Sequence, residues 1–472
     1  MTKMLRRKTK LTQHGVTDEM SPRYTKELER QEAKKEIKEQ LAQSECCAKS
    51  STTMRIYAVG GQVRDELMGV VPKDCDYVVI GSTPEEMLSL GYKQVGSNFP
   101  VFLHPVTGDE YALGRTEKST GKKYQDFDCY FGPEVTIEED LYRRDLTINA
   151  IAKDLETGEY IDPYGGIKDI NDKVIRHVSD AFDEDPVRIL RAFRFNATLP
   201  GNWRVEISTA IKILDMIESG ALYSLTPERV WKEMEKALTG HNISKFIRGL
   251  STSDVFHEVA ELYETPQNEE HHPEGDCGIH TEMVVDYAAK HYGPLVAFAG
   301  LCHDFGKPVS YKESGNALEH EIKGLPVIEE FCKKWKVPNK YRNLALMTCK
   351  FHTKVHGCLG RGSNARMRPR SIMKLFEDTG AMMNIDNFER FKRFLQACES
   401  DAKGRGGDYP SKPYPQKDYL WECLKAVTGV NPKPIAESML DKGKSGIEIG
   451  EAIRVARIDA IRKVKLKLVD SN

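Results

Sequence analysis

Several features that would assign a chain to a special class are missing from this sequence of 472 residues. No apolar run approaches the ~20 residues of a membrane span, and the basic residues at positions 6–10 are not followed by the apolar core of a signal peptide. The eleven cysteines have no paired C-x-x-C spacing, which predicts reduced thiols and a cytoplasmic protein. Charge of one sign is also lacking, since 69 Lys and Arg nearly balance 71 Asp and Glu. Any nucleic-acid binding must therefore come from local basic patches.

The length predicts several domains, because single hydrophobic cores stop growing near ~250–300 residues. Residues 1–53 are rich in charged side chains and are expected to form a helical or flexible extension. Short apolar runs between Gly and Pro turns then predict a small α/β unit with a mixed or antiparallel sheet, and the sequence that follows is mostly helical in pattern. The predicted strands lie at 56–59, 77–80, 101–104 and 110–113. The predicted segments are 1–53, 54–165, 166–265, 266–403 and a helical tail at 404–472.

Two aspartates stand two residues apart where a predicted strand begins. Residues i and i+2 of a strand point to the same face, so the carboxylates of Asp74 and Asp76 should project together. Two adjacent like charges need a cation, and Mg²⁺ takes oxygen ligands while leaving positions for substrate phosphates. Glu110, on a later strand, is either a third carboxylate of this site or a solvent-facing glutamate. The pattern predicts two-metal phosphoryl transfer, in which one ion activates a 3′-hydroxyl and the other steadies the leaving pyrophosphate.

A Gly-Gly turn precedes these aspartates and opens a predicted helix. Gly60 and Gly61 could bring backbone N–H groups close to a triphosphate, and a plain tight turn is the alternative. Arg64 follows in the first helical turn, where it could hold phosphate oxygens or form an ion pair with Asp65. The turn, the arginine and the aspartate pair together predict a site for a metal–nucleotide complex.

An adjacent arginine pair, Arg143 and Arg144, occurs further along the chain. Two neighbouring side chains cannot both lie on one helix face, so we expect one to bind phosphate and the other an aspartate or RNA. A basic pair on the surface is the alternative.

The segment 184–195 predicts a helix with an unusual set of arginines. Asp185 suits an N-cap and Pro186 suits the first helical position. Neither preference explains Arg188, Arg191 and Arg194, which recur every third residue among apolar side chains. Because three positions turn a helix by about 300°, these arginines form a slowly drifting stripe that can face a base at one end and a triphosphate further along.

The pair of Asp185 and Arg188 has a specific chemical meaning. Cytosine and adenine each present an amino donor beside a ring-nitrogen acceptor, whereas guanine and uracil present a carbonyl acceptor beside an N–H donor. A carboxylate with a guanidinium matches the first arrangement and mismatches the second. Sites with buried hydrogen-bonding groups reject wrong partners strongly, so two side chains could select CTP and ATP without a nucleic-acid template.

These segments resemble the class II tRNA nucleotidyltransferases, the CCA-adding enzymes, and their relatives the bacterial poly(A) polymerases. The resemblance runs from about position 55 to the C-terminus and leaves 1–53 outside. The implied fold class is α+β: a polymerase-β-like head at 54–165, then a mostly helical neck, body and tail that grip the acceptor end of tRNA. The most specific similarities lie at 57–69, 73–77, 143–150 and 184–195, and 225–233 resembles a later helical motif of the family.

The resemblance also implies roles for individual residues. Asp74 and Asp76 are implied to bind catalytic Mg²⁺, Asp185 and Arg188 to recognise the base, and Glu184 to orient Arg188. The residues implied to contact the incoming nucleotide are Gly60, Gly61, Arg64, Arg144, Arg191 and Arg194.

A second constellation of histidines and aspartates lies in the helical part. An apolar run ends in His303 and Asp304, with His280 upstream and Asp401 far downstream. Such ligands suit a catalytic divalent metal, and a buried histidine bonded to an aspartate is the alternative. The pattern resembles the HD phosphohydrolases. The resemblance implies phosphodiesterase and phosphatase activity, with Ni²⁺ or another transition metal held by these four residues. The alternative is a metal-poor platform that binds RNA. His320 and His352 are weaker candidates for metal ligands, and His356 is expected only to lie near the site.

The sequence therefore predicts an enzyme that adds C, C and A to tRNA 3′ ends, with an HD phosphohydrolase domain at 266–403. Its partners would be tRNA, CTP and ATP, with no membrane and no DNA, and it would act as a monomer or a dimer. One alternative is a poly(A) polymerase. The other is an RNA-binding protein whose chemistry resides only in the HD domain.

Overall fold

The computed structural model describes residues 54–72, 75–95, 101–119, 127–360 and 366–469. They form two compact units. The head unit comprises the described residues of Met1–Asp172 with His177–Phe182, and the helical unit comprises those of Lys173–Arg176 with Asp183–Asn472. None of the helices within these ranges has the length and apolarity that crossing a bilayer requires.

The head unit contains a seven-stranded sheet in the order β3-β4-β5-β2-β1-β8-β9. Strands β2 and β5 pair in parallel and the other neighbours pair antiparallel, so the predicted mixed sheet is confirmed. Its strands are β1 (Arg55–Val59), β2 (Asp76–Ile80), β3 (Lys93–Val95), β4 (Val101–Leu103), β5 (Glu110–Leu113), β8 (Ala152–Asp154) and β9 (Tyr160–Ile161), and β6 (Thr116–Ser119) pairs separately with β7 (Phe127–Tyr130). The head helices are α1 (Gly61–Leu67), α2 (Pro84–Ser89), α3 (Ile137–Tyr142) and α4 (Gly166–Asp172).

The two faces of this sheet are packed differently. On one face, Tyr57, Val59 and Val78 form a buried cluster with Ile137 and Leu141 of α3. Side chains alternate along a strand, so Asp76 projects from the same face as Val78, at the end of β2. Helix α3 starts at a capping box in which the Thr136 and Glu139 side chains bond reciprocally to each other's backbone.

The helical unit is built from helices α5 to α19 and one short parallel strand pair, β10 (Val174–Ile175) with β11 (Arg204–Val205). Helix α10 packs on α11 and α16, and α11 also packs on α14. The helices are α5 (Val187–Thr198), α6 (Ile207–Glu218), α7 (Pro227–Ala237), α8 (Ile243–Leu250), α9 (His257–Tyr263), α10 (Cys277–Tyr292), α11 (Pro294–Cys302), α12 (Gly306–Ser314), α13 (His320–Lys334), α14 (Asn339–His356), α15 (Pro369–Asp378), α16 (Ile385–Lys403), α17 (Pro415–Thr428), α18 (Pro432–Leu440) and α19 (Gly446–Val469).

A shared aromatic core joins the first helices of this unit to the histidine-containing ones. Trp231 of α7 lies edge-on to Phe298 of α11 and Tyr341 of α14, with ring centroids 5.6 and 4.9 Å away. All three rings are largely buried. Residues on both sides of the boundary expected at 265/266 therefore pack in one core, and that boundary stays a prediction.

Close packing between α5 and α8 depends on a missing side chain. A Cβ at Gly249 would lie 2.5 Å from Cγ of Phe193, so we expect Gly249→Ala to destabilise the helical unit by about 1–3 kcal/mol through overpacking. Gly450 in α19 is the matched control, because a Cβ there would meet no described atom within 4 Å. Gly450→Ala should stabilise by up to ~1 kcal/mol. Chemical denaturation of both variants measures the difference, and equal effects would contradict this packing.

Candidate active sites and metal centre

The carboxylates predicted for the nucleotidyl-transfer site meet at one end of the head sheet. The parallel register of β2 and β5 pairs Asp76 with Glu110, and each is the first residue of its strand. Paired residues project from the same face, and both side chains are exposed. Asp74 lies outside the described residues, so its predicted pairing with Asp76 stays a prediction. The two remaining acids form an oxygen-rich site suited to a divalent ion.

The Gly-Gly turn begins next to these carboxylates, because Val59 pairs with Asp76 in the β1–β2 register. Gly60 has φ 69°, in the left-handed region where a side chain is strained. A Cβ there would lie 3.4 Å from Nη1 of Arg144, and a Cβ at Gly61 would lie 3.5 Å from Nη2 of Arg64. Two guanidinium groups therefore flank the first N–H groups of α1, which is an arrangement suited to phosphate.

Arg64 forms both a local and a long-range contact. Its Nε and Nη2 donate to Oδ1 of Asp65 at 3.0 and 2.7 Å, which is the ion pair considered as its alternative role. Its Nη1 donates to Oδ1 of Asn149 at 2.7 Å. Asn149 was not predicted from the sequence, although it lies in the segment 143–150. It orients Arg64 from a part of the chain that only the fold brings near.

The expectation for Arg143 and Arg144 was wrong in one respect, because both contact the same aspartate. Asp140 is fully buried, and its carboxylate accepts from Nη2 of Arg143 at 2.6 Å and from Nη2 of Arg144 at 2.9 Å. Residues three and four positions after Asp140 both lie beside it on a helical turn, so both arginines reach it. Nor are they a surface pair, since their side chains are only 14% and 17% exposed.

Asp140 therefore positions the arginine that lies beside Gly60. Burial alone would raise the pKa of Asp140, but the two guanidinium groups lower it to about 2. The carboxylate stays ionised at neutral pH and accepts from both arginines. Arg144 keeps Nη1 directed at the Gly-Gly turn, where it also lies 3.5 Å from the Asn149 carbonyl oxygen.

In the helical unit, the base-recognition candidate Asp185 precedes α5. The sequence predicted Asp185 as N-cap, whereas α5 starts at Val187 with Pro186 in the N-cap position. The backbone N–H of Val187 still donates to Asp185 Oδ1 at 3.1 Å. Arg229 donates from Nη1 and Nη2 to the two Asp185 oxygens at 3.0 and 2.6 Å. This bidentate partner was missed, although it lies in the segment 225–233 that carried part of the resemblance.

The arginine stripe of α5 is more buried than its spacing suggested. Arg188 and Arg194 are each 8% exposed, and Arg191 is half-buried. Nε of Arg194 donates to Glu233 of α7, and its guanidinium lies 4.0 Å from the ring centroid of Phe195. Helix α7 thus contacts this segment twice, through Arg229 at Asp185 before α5 and through Glu233 at Arg194 within α5. The predicted nucleotide contacts of these arginines, and the action of Glu184 on Arg188, stay predictions.

The four predicted HD residues lie together in the interior of the helical unit. Nε2 of His280 lies 3.2 Å from Oδ1 of Asp401, and Nε2 of His303 lies 3.8 Å from the same oxygen. Nε2 of His303 is also 3.1 Å from Oδ2 of Asp304. All four residues are buried, at 3% exposure or less. Two imidazoles and two carboxylates converging in an apolar interior fit a divalent metal of the transition series.

Their partners orient these ligands. Nδ1 of His303 lies 2.6 Å from the carbonyl oxygen of Gly300 and donates to it, which leaves Nε2 as the metal-binding nitrogen. Nδ1 of His280 lies 2.9 Å from Oε1 of Glu274. His280 and His303 face Oδ1 of Asp401, whereas Nε2 of His356 lies 2.6 Å from its Oδ2. His356 was expected only to lie near, and it orients Asp401.

The pKa shifts of this cluster favour metal binding at the carboxylates. At His303 they oppose it, because burial alone would lower the pKa of this ring but Asp304 and Asp401 raise it. Burial would raise the pKa of Asp304, but His303 and Lys307 hold it well below its usual range. Burial would also raise the pKa of Asp401, and His356 and His303 lower it in the same way. Burial lowers the pKa of His352 to about 3, so its ring is neutral at physiological pH. Ionised carboxylates and neutral imidazoles are the forms that bind metal.

The head site yields a stability prediction that depends on pH. Asp140→Ala leaves two buried guanidinium groups without their carboxylate and should cost about 3–5 kcal/mol at pH 7. The folded-state pKa of about 2 lies below the unfolded value near ~4, so this contribution is present above pH ~4 and is lost as the pH falls towards 2. Denaturant unfolding from pH 2 to 7 measures it.

The control removes an exposed ion pair. Lys168 and Asp172 are an i,i+4 pair on α4 with side chains 78% and 44% exposed, and Asp172→Ala should change stability by less than ~1 kcal/mol. An effect of Asp140→Ala as small as the control, or one that grows as the pH falls, would contradict the assignment.

Comparison with known proteins gives the family. The model for the Poly A polymerase head domain matches residues 56–176. The multifunctional CCA protein of Pseudomonas aeruginosa strain LESB58 is 42% identical over 419 residues, which cover 87% of this chain and 98% of that protein. The corresponding protein of Pseudomonas paraeruginosa has the same identity and coverage.

Solved structures agree on the fold. The Bacillus stearothermophilus CCA-adding enzyme in complex with CTP matches with a TM-score of 0.59 and 22% identity, covering 94% of each chain. The Thermotoga maritima CCA-adding enzyme complexed with tRNA matches with a TM-score of 0.54 and 22% identity, covering 88% of this chain and 92% of that one. These similarities confirm the polymerase-β-like head followed by a mostly helical body. The chain belongs to the CCA-adding enzymes, the class II tRNA nucleotidyltransferases, and among them to the multifunctional CCA proteins.

Proposed function

We propose that this protein adds C, C and A to the 3′ ends of tRNA from CTP and ATP, without a nucleic-acid template and with release of pyrophosphate. The observation that carries the proposal is the head site itself. The register pairs Asp76 with Glu110 beside a Gly-Gly turn, and Arg64 and Arg144 lie against that turn. Carboxylates for metal thus lie next to cations and N–H groups for phosphate. Enzymes of this type use a divalent metal.

Each group of the head site has a separate task in this reaction. Asp74, Asp76 and Glu110 would hold Mg²⁺, which activates the tRNA 3′-hydroxyl and neutralises the departing pyrophosphate when bound. Arg64 and Arg144 would bind the triphosphate oxygens and fix the α-phosphorus for attack. Asp140 and Asn149 hold these guanidinium groups in position before the nucleotide arrives, so little reorganisation is needed on binding.

Base selection is proposed for Asp185 and Arg188. The Asp185 carboxylate accepts from the amino group of cytosine or adenine, and Arg188 donates to the neighbouring ring nitrogen. Arg229 supports this assignment, because its two donated bonds fix the orientation of the Asp185 carboxylate. Each carboxylate oxygen has a second lone pair for the base. Guanine and uracil would place an acceptor against the carboxylate and a donor against the guanidinium.

We also propose a metal-dependent phosphodiesterase and phosphatase activity for the HD cluster. His280, His303, Asp304 and Asp401 would hold Ni²⁺ or another transition metal, because a set rich in histidine favours such ions over Mg²⁺. A cavity of about 330 Å³ reaches Asp304 and Asp401. Lys307 and Arg405 line it as well, and such cations suit a phosphate group.

Incubation with tRNA lacking CCA and one labelled nucleotide at a time tests the main proposal. We expect incorporation limited to two C residues from CTP, and addition of a single A once both have been added. Extension by A alone, without limit, would instead support the poly(A) polymerase alternative. If Asp74→Ala left every activity intact, the alternative in which chemistry resides only in the HD domain would replace the proposal.

A tRNA substrate also fits the cytoplasmic location proposed from the sequence.

Arg229 offers a sharper test of base selection. Arg229→Ala removes both hydrogen bonds to Asp185, and bonds to charged groups contribute about 1.5–3 kcal/mol. We therefore expect the preference for CTP over UTP to fall about 10- to 100-fold, with a smaller loss in Arg229→Lys, which keeps the charge but not the paired geometry. The ratio of kcat/KM for CTP and UTP measures this.

The matched control is another paired arginine of the helical unit. Arg248 donates to both oxygens of Glu282 at 2.8 and 2.6 Å. Arg248→Ala removes an equivalent contact and should leave the CTP/UTP ratio unchanged. An unchanged ratio in Arg229→Ala as well would overturn the selector role of Asp185.

A further inference from the structure

One stretch of the helical unit differs sharply in charge from the rest of the chain. Between Phe331 and Phe376 the sequence contains seven Lys and five Arg, but neither Asp nor Glu. The whole chain is nearly neutral, with a formal net charge of −2. A local excess of this size creates a positive field that attracts anions, whatever the sum over the molecule. The stretch runs from the last turn of α13 through α14 into α15.

Helix α14 presents part of this charge along one face. Lys340, Lys350 and Lys354 are exposed, and at about 100° per residue they lie within an arc of about 80° around the helix axis. From the first to the last of them the helix rises by about 21 Å. The buried His352 and His356 lie on the opposite side of the same helix. The lysine face therefore points away from the histidine–aspartate cluster.

The three lysines of this face are not neutralised by acids. None of them forms an ion pair with a residue that the structure describes. Instead, the ammonium groups of Lys350 and Lys354 lie 5.4 and 5.1 Å from the ring centroid of Phe351. Their aliphatic stems cover this ring while the ammonium groups stay in water. The cation–π contacts hold both charges in place and leave them available to an anion.

The positive charge continues past the end of α14. The backbone N–H of Met367 donates to the carbonyl oxygen of Cys358 at 2.9 Å, so the chain returns to the end of α14 just before α15 starts. Cys358 lies about one helical turn after Lys354. Arg368 and Arg370 follow directly and are exposed, and neither has an ion pair within the described ranges. Two further cations thus lie near this end of the lysine face.

A row of cations of this length fits a polymer of phosphates better than a small anion. A nucleic-acid backbone carries closely spaced charges along its whole length, so several cations in a row contact it at once. The aromatic rings beside the lysines, Phe351 and Tyr341, are only 5% and 3% exposed, so they cannot stack on unpaired bases. Duplex RNA is held mainly through its phosphates and 2′-hydroxyls, which this surface can contact without stacking.

We propose that Lys340, Lys350 and Lys354, together with Arg368 and Arg370, bind the phosphate backbone of a base-paired arm of tRNA. The inference rests on the proposed CCA addition for the identity of the RNA. It gives α14 two tasks, because the opposite face of this helix lines the cavity of the histidine–aspartate cluster. A positive face increases both the rate of encounter with RNA and the affinity, and both effects weaken as the salt concentration rises.

The test measures binding of tRNA lacking CCA to the full-length protein at salt concentrations from about 50 to 200 mM. The triple variant Lys340→Gln, Lys350→Gln and Lys354→Gln removes three charges and keeps a good helix former at each position. Each lost phosphate contact should reduce the slope of log affinity against log salt by about 0.9. We therefore expect a slope smaller by about 2–3 and an affinity roughly 10- to 100-fold lower at ~0.1 M salt. The KM for tRNA should rise, whereas the KM for CTP should not change.

The control removes three lysines that already have acidic partners. These pairs of the helical unit are Lys312 with Glu261, Lys323 with Glu313 and Lys425 with Glu422. Changing all three lysines to Gln alters the net charge of the protein by the same amount as the α14 variant does. The control variant should keep the salt slope and the tRNA affinity of the unchanged protein. Equal thermal unfolding of the two variants shows that both are folded.

The outcomes separate this inference from the proposed function. If the α14 variant matched the control in affinity and slope and still added CCA, the RNA-binding surface would be overturned and the function would stand. Weaker binding to phosphatidylserine vesicles with unchanged tRNA binding would also overturn it, in favour of a membrane surface. If the unchanged protein bound tRNA but added no nucleotide, the proposed function would fail, and the salt slopes would still decide whether the surface binds RNA.

Discussion

A buried charge is tolerated only where its partners are in place. The head site depends on one such carboxylate and the HD cluster on two. Removing one partner of a buried ion pair costs more than the pair contributes, because the remaining charge is left in a poorly solvating interior. Asp140 is the case in the head unit, where it is fully buried between Arg143 and Arg144. Asp304 and Asp401 are the cases in the helical unit, where imidazoles and Lys307 surround them. The ion pairs that stabilise the fold thereby also hold the side chains of the proposed sites in position.

The segment proposed to recognise the base is held by ion pairs as well, and its partners lie on a second helix, α7. Its candidate selector Asp185 is held by Arg229, and its buried Arg194 is held by Glu233. Both partners lie on α7, whose Trp231 packs against Phe298 of α11 and Tyr341 of α14. The orientation of Asp185 is thus connected, through one rigid helix, to the hydrophobic core of the helical unit. Under the proposed base selection, specificity for the base would also depend on Arg229, which holds Asp185 in place.

The sequence predicted the local elements well because they depend on neighbouring residues. The Gly-Gly turn, the strand at Asp76 and the helix after Pro186 follow from backbone preferences and alternation, and the structure places each within a residue or two. Contacts between distant segments could not be predicted in this way. The pairing of Asp76 with Glu110 depends on strand order, and the contact of Arg64 with Asn149 joins positions 85 apart. The shared carboxylate of Arg143 and Arg144 was missed because the expectation compared the two arginines only with each other. Positions three and four residues after Asp140 both lie beside it on a helical turn.

The histidines illustrate a different limit. Spacing alone indicated His280, His303, Asp304 and Asp401, but it gave no means of ranking His320 and His352, which lie on separate helices. Their orientation becomes visible only in the structure, where both donate from Nδ1 to a carbonyl oxygen and leave Nε2 for the interior. The two sites of the chain then differ in the ions they favour: the head offers carboxylate oxygens, and the helical unit adds imidazole nitrogens. Hard Mg²⁺ prefers the first set and transition metals the second. The proposed nucleotidyl transfer and the proposed phosphohydrolase activity would then use different metals because their ligands differ in type.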